Sequence, residues 1–253
     1  MDDLFSAAAL TGRTLARGDI RNLCGTPRTL AECDLEEADL SGLDLSGWQF
    51  ERCNFRKADF GGAMLEDTAW KSCRGAFVNF IAADLTGAAF TASDFNNGAF
   101  RKATLHSAAF TGCKLTGADF SDTKGVEIRF EETLLIDAKL PGHSFRRTVL
   151  KRVDFSTADL RKCDFRQATF EACSLREAGL DGARFDAPTC AAPTSAACAS
   201  WTPPPFAARR FRPIRQACFC ANWASRSARA RESGAVRPSS TSRCVSSKGR
   251  DHV

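Results

Sequence analysis

The cysteines of this 253-residue chain are the first candidates for chemistry, because several of them recur at one fixed spacing. Those separated by multiples of twenty residues are Cys33, Cys53, Cys73, Cys113 and Cys173. Aligned thiols could hold a metal ion or form disulfides, but neighbours about 4.8 Å apart do not automatically have disulfide geometry. The three histidines lie far apart, at His106, His143 and His252, and the chain contains neither a CxxC nor an HExxH motif. Since cysteine behaves as a small buried hydrophobic residue, the series predicts core positions and favours a non-enzymatic protein without metal or cofactor.

Aspartates form a second regular series, and two kinds of chemistry fit them. One column at twenty-residue steps contains Asp39, Asp59, Asn79, Asp119 and Asp159, and an adjacent side carries Asp34, Asp94 and Asp154. Exposed carboxylates can stand in for the closely spaced phosphates of DNA. The alternative is that each side chain caps its own backbone at a turn, as Asp and Asn commonly do. Pairs of cations such as Arg101-Lys102 and Arg146-Arg147 interrupt the negative field, so both interpretations stay open.

The residues that must position these side chains repeat with a period of five. From Leu35 to Phe185, the 31 positions whose numbers are multiples of five hold fifteen Phe, thirteen Leu and one Trp, with Gly75 and Gly125 as exceptions. Two residues before each lies a second series, of whose 31 members 25 are Ala, Cys, Ser, Thr or Gly. No insertion or deletion disturbs the count, so a single repeated unit covers this whole region.

A five-residue period matches neither an amphipathic helix nor a simple alternating strand. One large and one small residue, two apart, point inward as strand geometry permits, and the chain then turns a corner. Four such sides close a square coil of twenty residues, so residues 35–185 predict nearly eight coils in a rod roughly 35–40 Å long. The predicted core includes Leu35, Phe55, Phe95, Leu115, Phe155 and Leu175. At Gly75 and Gly125 we expect a kink or bulge, with Phe77 and Ile128 as candidates to fill the space.

Composition divides the chain into three parts: a lead-in and cap (1–30), the repeat domain (31–186) and a tail (187–253). Residues 1–186 carry 24 Lys and Arg against 28 Asp and Glu, whereas residues 187–253 carry 11 against 2. The positive net charge of the chain therefore belongs to the tail. We predict that this tail is irregular and disordered.

The abrupt end of the repeat suggests a shift of reading frame at about codon 187. Read one nucleotide earlier, the codons of residues 187–190 can spell Gly-Ala-Asp-Leu, with Leu on the next position of the five-residue series. Later codons can spell Val-Asp-Ala-Ala-Ala-Phe and then a short leucine-rich helix. The alternative is a genuine tail rich in Arg, Ser, Ala and Pro.

These repeats resemble the pentapeptide-repeat family, whose motif is A(D/N)LXX or its Phe variant. The segments that carry the resemblance are AADLTGAAF, TGADF, STADL and RKCDF. The resemblance implies an all-β, right-handed quadrilateral β-helix solenoid that needs capping at its ends. The restored ending and the segment TKGVEIRF are similar to the quinolone-resistance (Qnr-like) branch, in which the C-terminal segment joins two rods tail to tail. The unbroken register leaves no room for the projecting loops that some members of that branch carry.

The resemblance implies a non-enzymatic DNA mimic that binds a type II topoisomerase, either DNA gyrase or topoisomerase IV, and modulates quinolone sensitivity. It implies no direct nucleic-acid binding, and a homodimer if the C-terminal frame is restored. The alternative is a protein-interaction scaffold without mimicry. An acidic N-terminus and the absence of an apolar run of about 20 residues favour a cytoplasmic location and no membrane association.

Overall fold

The computed structural model of the chain describes residues 9–185 and the backbone of the strand at 189–191. These residues form one short helix, α1 (Arg17–Arg21), and ten short strands. The strands are β1 (Leu10–Thr11), β2 (Thr29–Ala31), β3 (Gln49–Glu51), β4 (Ala69–Lys71), β5 (Ala89–Thr91), β6 (Ala109–Thr111), β7 (Arg129–Glu131), β8 (Val149–Lys151), β9 (Thr169–Glu171) and β10 (Thr189–Ala191).

The ten strands form one parallel sheet in chain order, and each strand pairs with the strand twenty residues further on. In the register, Leu30 lies opposite Phe50 and Phe90 opposite Phe110. The other three sides of each coil are held by single parallel bridges at the same spacing, such as those starting at Asp34, Asp39 and Asp44. The predicted all-β, four-sided parallel β-helix of about eight coils is therefore confirmed.

Each corner is made by a residue in the left-handed backbone conformation. From Glu32 to Gly182, all 31 residues that lie two positions after a large inward residue have φ between 50° and 75°. Twenty-three of them are not glycine, so glycine is not what permits the turn. The backbone N–H of the corner residue instead donates to a carbonyl of the next coil, as from Glu37 to Arg56 at 2.9 Å. Pairing between coils thus stabilises a conformation that L-residues otherwise rarely adopt.

The core is a continuous column of stacked side chains. Phe90 stacks on Phe110 with ring centroids 4.7 Å apart, and Phe100 stacks on Phe120 at 4.6 Å. These separations match the spacing between parallel strands, so each ring packs against its counterpart one coil away. The predicted core residues are all buried except Leu175, which is partly buried near the end of the described rod.

The coil register begins earlier than the repeat count indicates. Leu10 pairs with Leu30, and Thr14 forms a bridge with Asp34. Helix α1 occupies the following part of this first coil and buries Ile20 in the core. Residues 10–30 therefore contribute a coil of their own, and the capping role of residues 1–30 stays a prediction.

The two glycine positions are filled in different ways. A Cβ atom on Gly75 would lie 2.2 Å from Cε1 of Phe95, so the ring of the next coil occupies this space. The expectation that Phe77 fills it is wrong, because Phe77 is 58% exposed. At Gly125, the side chain of Ile128 fills the space, since its Cδ1 would lie 2.8 Å from such a Cβ.

Only the second glycine interrupts the ladder of hydrogen bonds. Among the described residues no bridge joins Lys124 to Ser144, although each is bridged on its other side. Strand β7 pairs with β8 only through Glu131 and Lys151. The sheet stays in register through Gly75, where the backbone N–H donates to Asp94 at 2.7 Å. We call the interruption between residues 123–130 and 143–150 the coil seam.

One short strand lies within the predicted tail. Strand β10 continues the sheet beyond residue 186, with Cys190 in register with Phe170. The rest of the predicted tail and the restored ending lie outside the described residues.

Candidate carboxylate surface

The structure places the predicted aspartates in two columns along adjacent sides of the rod. Parallel bridges link Asp39 to Asp59 and Asp59 to Asn79, and the same column continues through Ala99, Asp119, Lys139 and Asp159. The adjacent column runs from Asp34 through Asn54, Arg74, Asp94, Lys114 and Leu134 to Asp154. The two columns therefore contain three cations among the carboxylates.

All eight predicted surface residues form the same local turn. In each, Oδ1 accepts a hydrogen bond from the backbone N–H two residues further on, with distances between 2.8 and 3.2 Å. Asn54, Asp44, Asp84 and Asp164 make this bond as well, although sequence reasoning did not single them out. Only Asp34 and Asp39 of the predicted eight are exposed, and the other six are half-buried. The geometry is that of turn formation.

Three of the four aspartates in the first column also contact a cation. Asp39 lies 2.8 Å from Arg17, Asp119 lies 3.9 Å from Lys139, and Asp159 binds Arg161 through both carboxylate oxygens. In the remaining one, Asp59, Oδ1 accepts a hydrogen bond from the side-chain amide of Asn79 at 2.8 Å. The column is thus internally paired and does not present a row of free charges.

Hydrogen bonds and ion pairs lower the pKa of two carboxyls of this column, those of Asp39 and Asp159. The hydroxyl of Ser41 is the main cause of the lowered pKa of Asp39, with the Ser41 backbone N–H as the next cause. The guanidinium of Arg161 is the main cause of the lowered pKa of Asp159. Both side chains therefore remain charged down to more acidic pH than an isolated aspartate.

Opposite charges also alternate between neighbouring coils. Glu37 lies 2.6 Å from Lys57, Glu36 lies 3.7 Å from Arg56, and Glu51 lies 3.4 Å from Lys71. Glu32 pairs with Arg52, and Glu132 with Arg152. The twenty-residue spacing of these opposite charges was a signal that the sequence offered. Such exposed pairs each contribute little to stability, but together they neutralise the surface.

The cysteine series lies inside the rod, and the described cysteines are free thiols. The thiols of Cys53, Cys73, Cys113 and Cys173 donate to carbonyls 23 residues earlier, at 3.3 to 3.4 Å. Burial raises the pKa of Cys53 to about 11 and of Cys73 to about 12. Thiols with such pKa values are poor nucleophiles and poor metal ligands at neutral pH. In the described part of the chain, no group of three or more His, Cys, Asp or Glu could hold a metal ion.

His143 occupies an inward position and is not part of any catalytic group. Its Nε2 lies 3.0 Å from the Thr123 hydroxyl, and its ring stacks on Phe145 with centroids 6.1 Å apart. Burial lowers its pKa to about 4. This half-buried histidine is therefore neutral at physiological pH.

A four-sided parallel solenoid with a five-residue period and cross-paired outer charges defines a class of repeat protein. The family model described as a pentapeptide repeat region matches residues 103–185, and that for pentapeptide repeats in eight copies matches residues 33–68 and 79–122. Together they cover more than half of the chain, which belongs to the pentapeptide-repeat family. Among curated protein sequences, none matches the chain. Over the described residues, no helix is both long and apolar enough to cross a membrane.

Several solved pentapeptide-repeat structures are similar in fold. HetL, from the cyanobacterium Nostoc sp. strain PCC 7120 and involved in heterocyst differentiation regulation, has 22% identity and a TM-score of 0.51, covering 72% of this chain and 84% of its own. A trypsin-treated variant of QnrB1, a plasmid-mediated fluoroquinolone resistance protein, has 24% identity and a TM-score of 0.47, covering 72% and 92%. A protein of the Arabidopsis thaliana thylakoid lumen has 23% identity and a TM-score of 0.35, covering 44% and 68%. At 22% identity and a TM-score of 0.51, the likeness to HetL concerns the fold alone.

Proposed function

We propose that this protein is a non-enzymatic interaction rod that binds a protein partner without imitating DNA. The observation that carries the proposal is charge balance, because residues 9–185 contain 25 Asp and Glu against 24 Lys and Arg. A DNA duplex as long as the rod, roughly 40 Å, carries on the order of twenty negative charges. A nearly neutral rod does not reproduce that field.

The orientation of the aspartates supports the same conclusion. A phosphate substitute needs oxygens directed to solvent, whereas Oδ1 of each predicted residue is bound to its own backbone. Asn79 makes the same bond as its aspartate neighbours, so the column does not need a charge at each step. Turn formation accounts for the aspartates without any partner.

Exposed apolar side chains offer contacts to a protein partner. Phe77 is 58% exposed on a corner, although its backbone has a φ of 61° that bulky residues rarely adopt. Aromatic residues, Phe included, are enriched in the buried cores of protein interfaces. We therefore assign Phe77 as the principal contact on this part of the rod.

The test compares Phe77→Ser with the fourfold variant Asp39→Asn, Asp59→Asn, Asp119→Asn and Asp159→Asn. Each full-length protein is immobilised, and bound partners are quantified from an extract of its source cell. We expect Phe77→Ser to reduce specific capture about tenfold, as for a central interface residue. The fourfold variant should retain capture, because its corner bonds survive. Retention by Phe77→Ser together with loss in the fourfold variant would refute the proposal.

A type II topoisomerase, DNA gyrase or topoisomerase IV, is the second candidate partner. A local cluster of acids favours this candidate. Asp44, Glu66, Asp67 and Asp84 lie on one side of the rod, within about 10 Å along its axis. No Lys or Arg lies between them on that side. Locally this approaches the charge spacing of DNA. If this stretch binds gyrase, Glu66→Gln with Asp67→Asn should weaken the complex, and added salt should weaken it further. Equal gyrase affinity of the wild-type and double-variant rods would exclude this candidate site.

A further inference from the structure

One side of the rod carries opposite charges in its two halves. The inward residues of this side are Leu45, Leu65, Leu85 and the residues that follow them at twenty-residue steps. We call the outer surface of this side, together with the corner that follows it, the bipolar side. Its first half carries the carboxylates Asp44, Glu66, Asp67 and Asp84 and no Lys or Arg. Among the described residues, its second half carries Lys124, Arg146, Arg147, Arg166 and Arg184 against Glu127 and Asp164. The coil between the halves, with Thr104, His106 and Ser107, has no Lys, Arg, Asp or Glu on this side.

The charges nearest the centre of each half are available for a partner. Glu66, Asp67, Arg146 and Arg147 are all exposed. Within the described chain none of the four forms a salt bridge, and Arg147 donates to the neutral side chain of Gln167. This differs from the other sides, where acids and bases of adjacent coils are paired. Of the two acids within the basic half, Asp164 is already bound by Arg166 at 2.6 Å.

We infer that the bipolar side binds a second copy of this chain, with the two rods side by side and antiparallel. In a symmetric pair, residue i of one chain meets residue j of the other, and residue j meets residue i. With the two-fold axis at the Ser107 coil, Glu66 and Asp67 lie two coils to one side, and Arg146 and Arg147 lie two coils to the other. Each acidic pair therefore faces a basic pair of the second rod, and this contact occurs twice.

The same axis aligns further residues. Asp84 and Lys124 lie one coil on either side of the centre, in the column of bridged residues, so they also meet across the interface. Met64 and Val126, which are 46% and 64% exposed, also lie on this side, where the axis places them opposite Ser144 and Thr86. A parallel arrangement would place acid against acid, and a partner of one charge would match only half of the surface. A second antiparallel copy places opposite charges together at Glu66, Asp67 and Asp84, which is why we assign it as the occupant. The one facing pair of acids, Asp44 and Asp164, lies three coils from the axis, and Arg166 already binds Asp164.

The first test reverses charges on the full-length protein and measures association by sedimentation. Glu66→Arg with Asp67→Arg, or Arg146→Glu with Arg147→Glu, should each raise the dimer dissociation constant at least about tenfold, because like charges then face each other. An equal mixture of the two variants should associate again, since at these four positions one rod then presents cations and the other anions. The variant carrying all four reversals should also dimerise. The matched control is Arg101→Glu with Lys102→Glu, an exposed basic corner on another side, which should leave association unchanged.

A second test uses the unmodified chain. A zero-length carbodiimide cross-linker joins only contacting carboxylates and amines. Because Asp84 and Lys124 of one rod are only about 10 Å apart, unlabelled and 15N-labelled chains are mixed before cross-linking, so that links between chains can be recognised. The cross-linked peptide Asp84–Lys124 should occur in the dimer with one labelled and one unlabelled half. Dimerisation should weaken between about 50 mM and about 500 mM salt as screening increases. The inference is overturned if the wild-type rod stays monomeric at low salt, if its dimer lacks this cross-link, or if folded charge-reversed variants fail to associate again when mixed.

Discussion

At the residue scale, the aspartates act first as structural elements. Their position immediately before a large core residue places Oδ1 near the backbone N–H two residues on, and this geometry recurs on every side that carries an Asp or Asn at that place. The same backbone N–H has no partner when the side chain is shortened to alanine. The charge of the side chain is secondary, since Asn54 and Asn79 form the turn equally well.

The first prediction compares two fourfold variants at Asp39, Asp59, Asp119 and Asp159. The alanine variant should lose about 2–4 kcal/mol in free energy of unfolding, because each lost hydrogen bond costs on the order of 1 kcal/mol. The asparagine variant should stay within about 1 kcal/mol of the wild type, since it keeps the acceptor atom. Urea unfolding followed by circular dichroism measures both, with Glu177→Ala as an exposed control. Equal losses in the two variants would show that charge, and not the turn, is the stabilising feature.

The second prediction concerns pH and His143. Its folded-state pKa is lowered to about 4, whereas an unfolded histidine titrates near about 6.5. As pH falls, the unfolded chain binds this proton first, so the stabilisation is complete above about pH 6.5 and is lost between about 6.5 and 4. The free energy of unfolding should therefore be about 1–2 kcal/mol lower at pH 5 than at pH 7.5. The carboxyls with lowered pKa values act only below about pH 4, outside this window.

The control for this pH effect is His143→Thr, which places at this inward position a residue already found at the equivalent Thr123. This variant should unfold with nearly the same free energy at both pH values. Wild-type stability that does not change between pH 7.5 and pH 5 would show that the buried imidazole is not titrated on unfolding.

Sequence predicted the positions of these residues better than their contacts. The period of five fixed which side chains point inward, including Cys33 and His143, because the backbone alternation leaves no choice. It did not fix the partners of long cations. Arg161 folds back onto Asp159 two residues earlier, whereas Arg17 reaches Asp39 in the next coil. Such choices depend on flexible side chains with several accessible rotamers.

At the element scale, the coils are uniform except at the seam that follows Gly125. The unbroken five-residue count predicted strands β3 to β9, and the structure adds β1, α1, β2 and β10. The first coil was missed because Arg13 and Arg28 occupy places where the pattern requires small residues, although Leu10, Leu15, Ile20 and Leu30 keep the large series. The five-residue repeat alone does not show which of the two glycines interrupts the hydrogen bonding between coils. At Gly75 a neighbouring ring fills the space, whereas at Gly125 the fill comes from Ile128 within the same corner.

The third prediction is that the coil seam opens more readily than its neighbours. Gly125, Glu127, Ser144 and Val149 have no backbone partner for their N–H groups across the seam, whereas the equivalent Leu105, Ser107, Lys124 and Arg129 are bonded. The four seam amides should therefore exchange hydrogen at least about tenfold faster than those equivalents. Nuclear magnetic resonance measures this residue by residue. Uniform protection across both sets would contradict the seam.

A paired substitution provides the control for that measurement. Gly125→Leu together with Ile128→Ala restores the large and small pattern of the other coils and should slow exchange at the seam. Gly125→Leu alone should destabilise the rod by about 1–3 kcal/mol, because the new side chain overlaps Ile128.

At the scale of the whole molecule, the rod is a nearly neutral surface repeated along one axis. Its coils contact only their neighbours, so the outer faces can vary while the core is kept. On three sides of the rod, ion pairs between adjacent coils partly neutralise the surface charge. On the bipolar side, the acids and most of the bases occupy different halves of the rod. A molecule with this distribution is suited to contacts with proteins of mixed charge, including its own copy, and poorly suited to replacing a uniformly negative duplex.

The most direct test of this account is a gyrase supercoiling assay with ciprofloxacin, at low and high salt. The proteins are the 253-residue chain, a version with the C-terminal frame restored, and the fourfold asparagine variant of each. Without nucleic-acid mimicry, none of them should protect or inhibit gyrase over a wide concentration range, and the variants should match their parents. Salt-sensitive protection or inhibition by either parent, abolished by the fourfold asparagine change, would contradict the account and establish the aspartate column as a substitute for DNA phosphates.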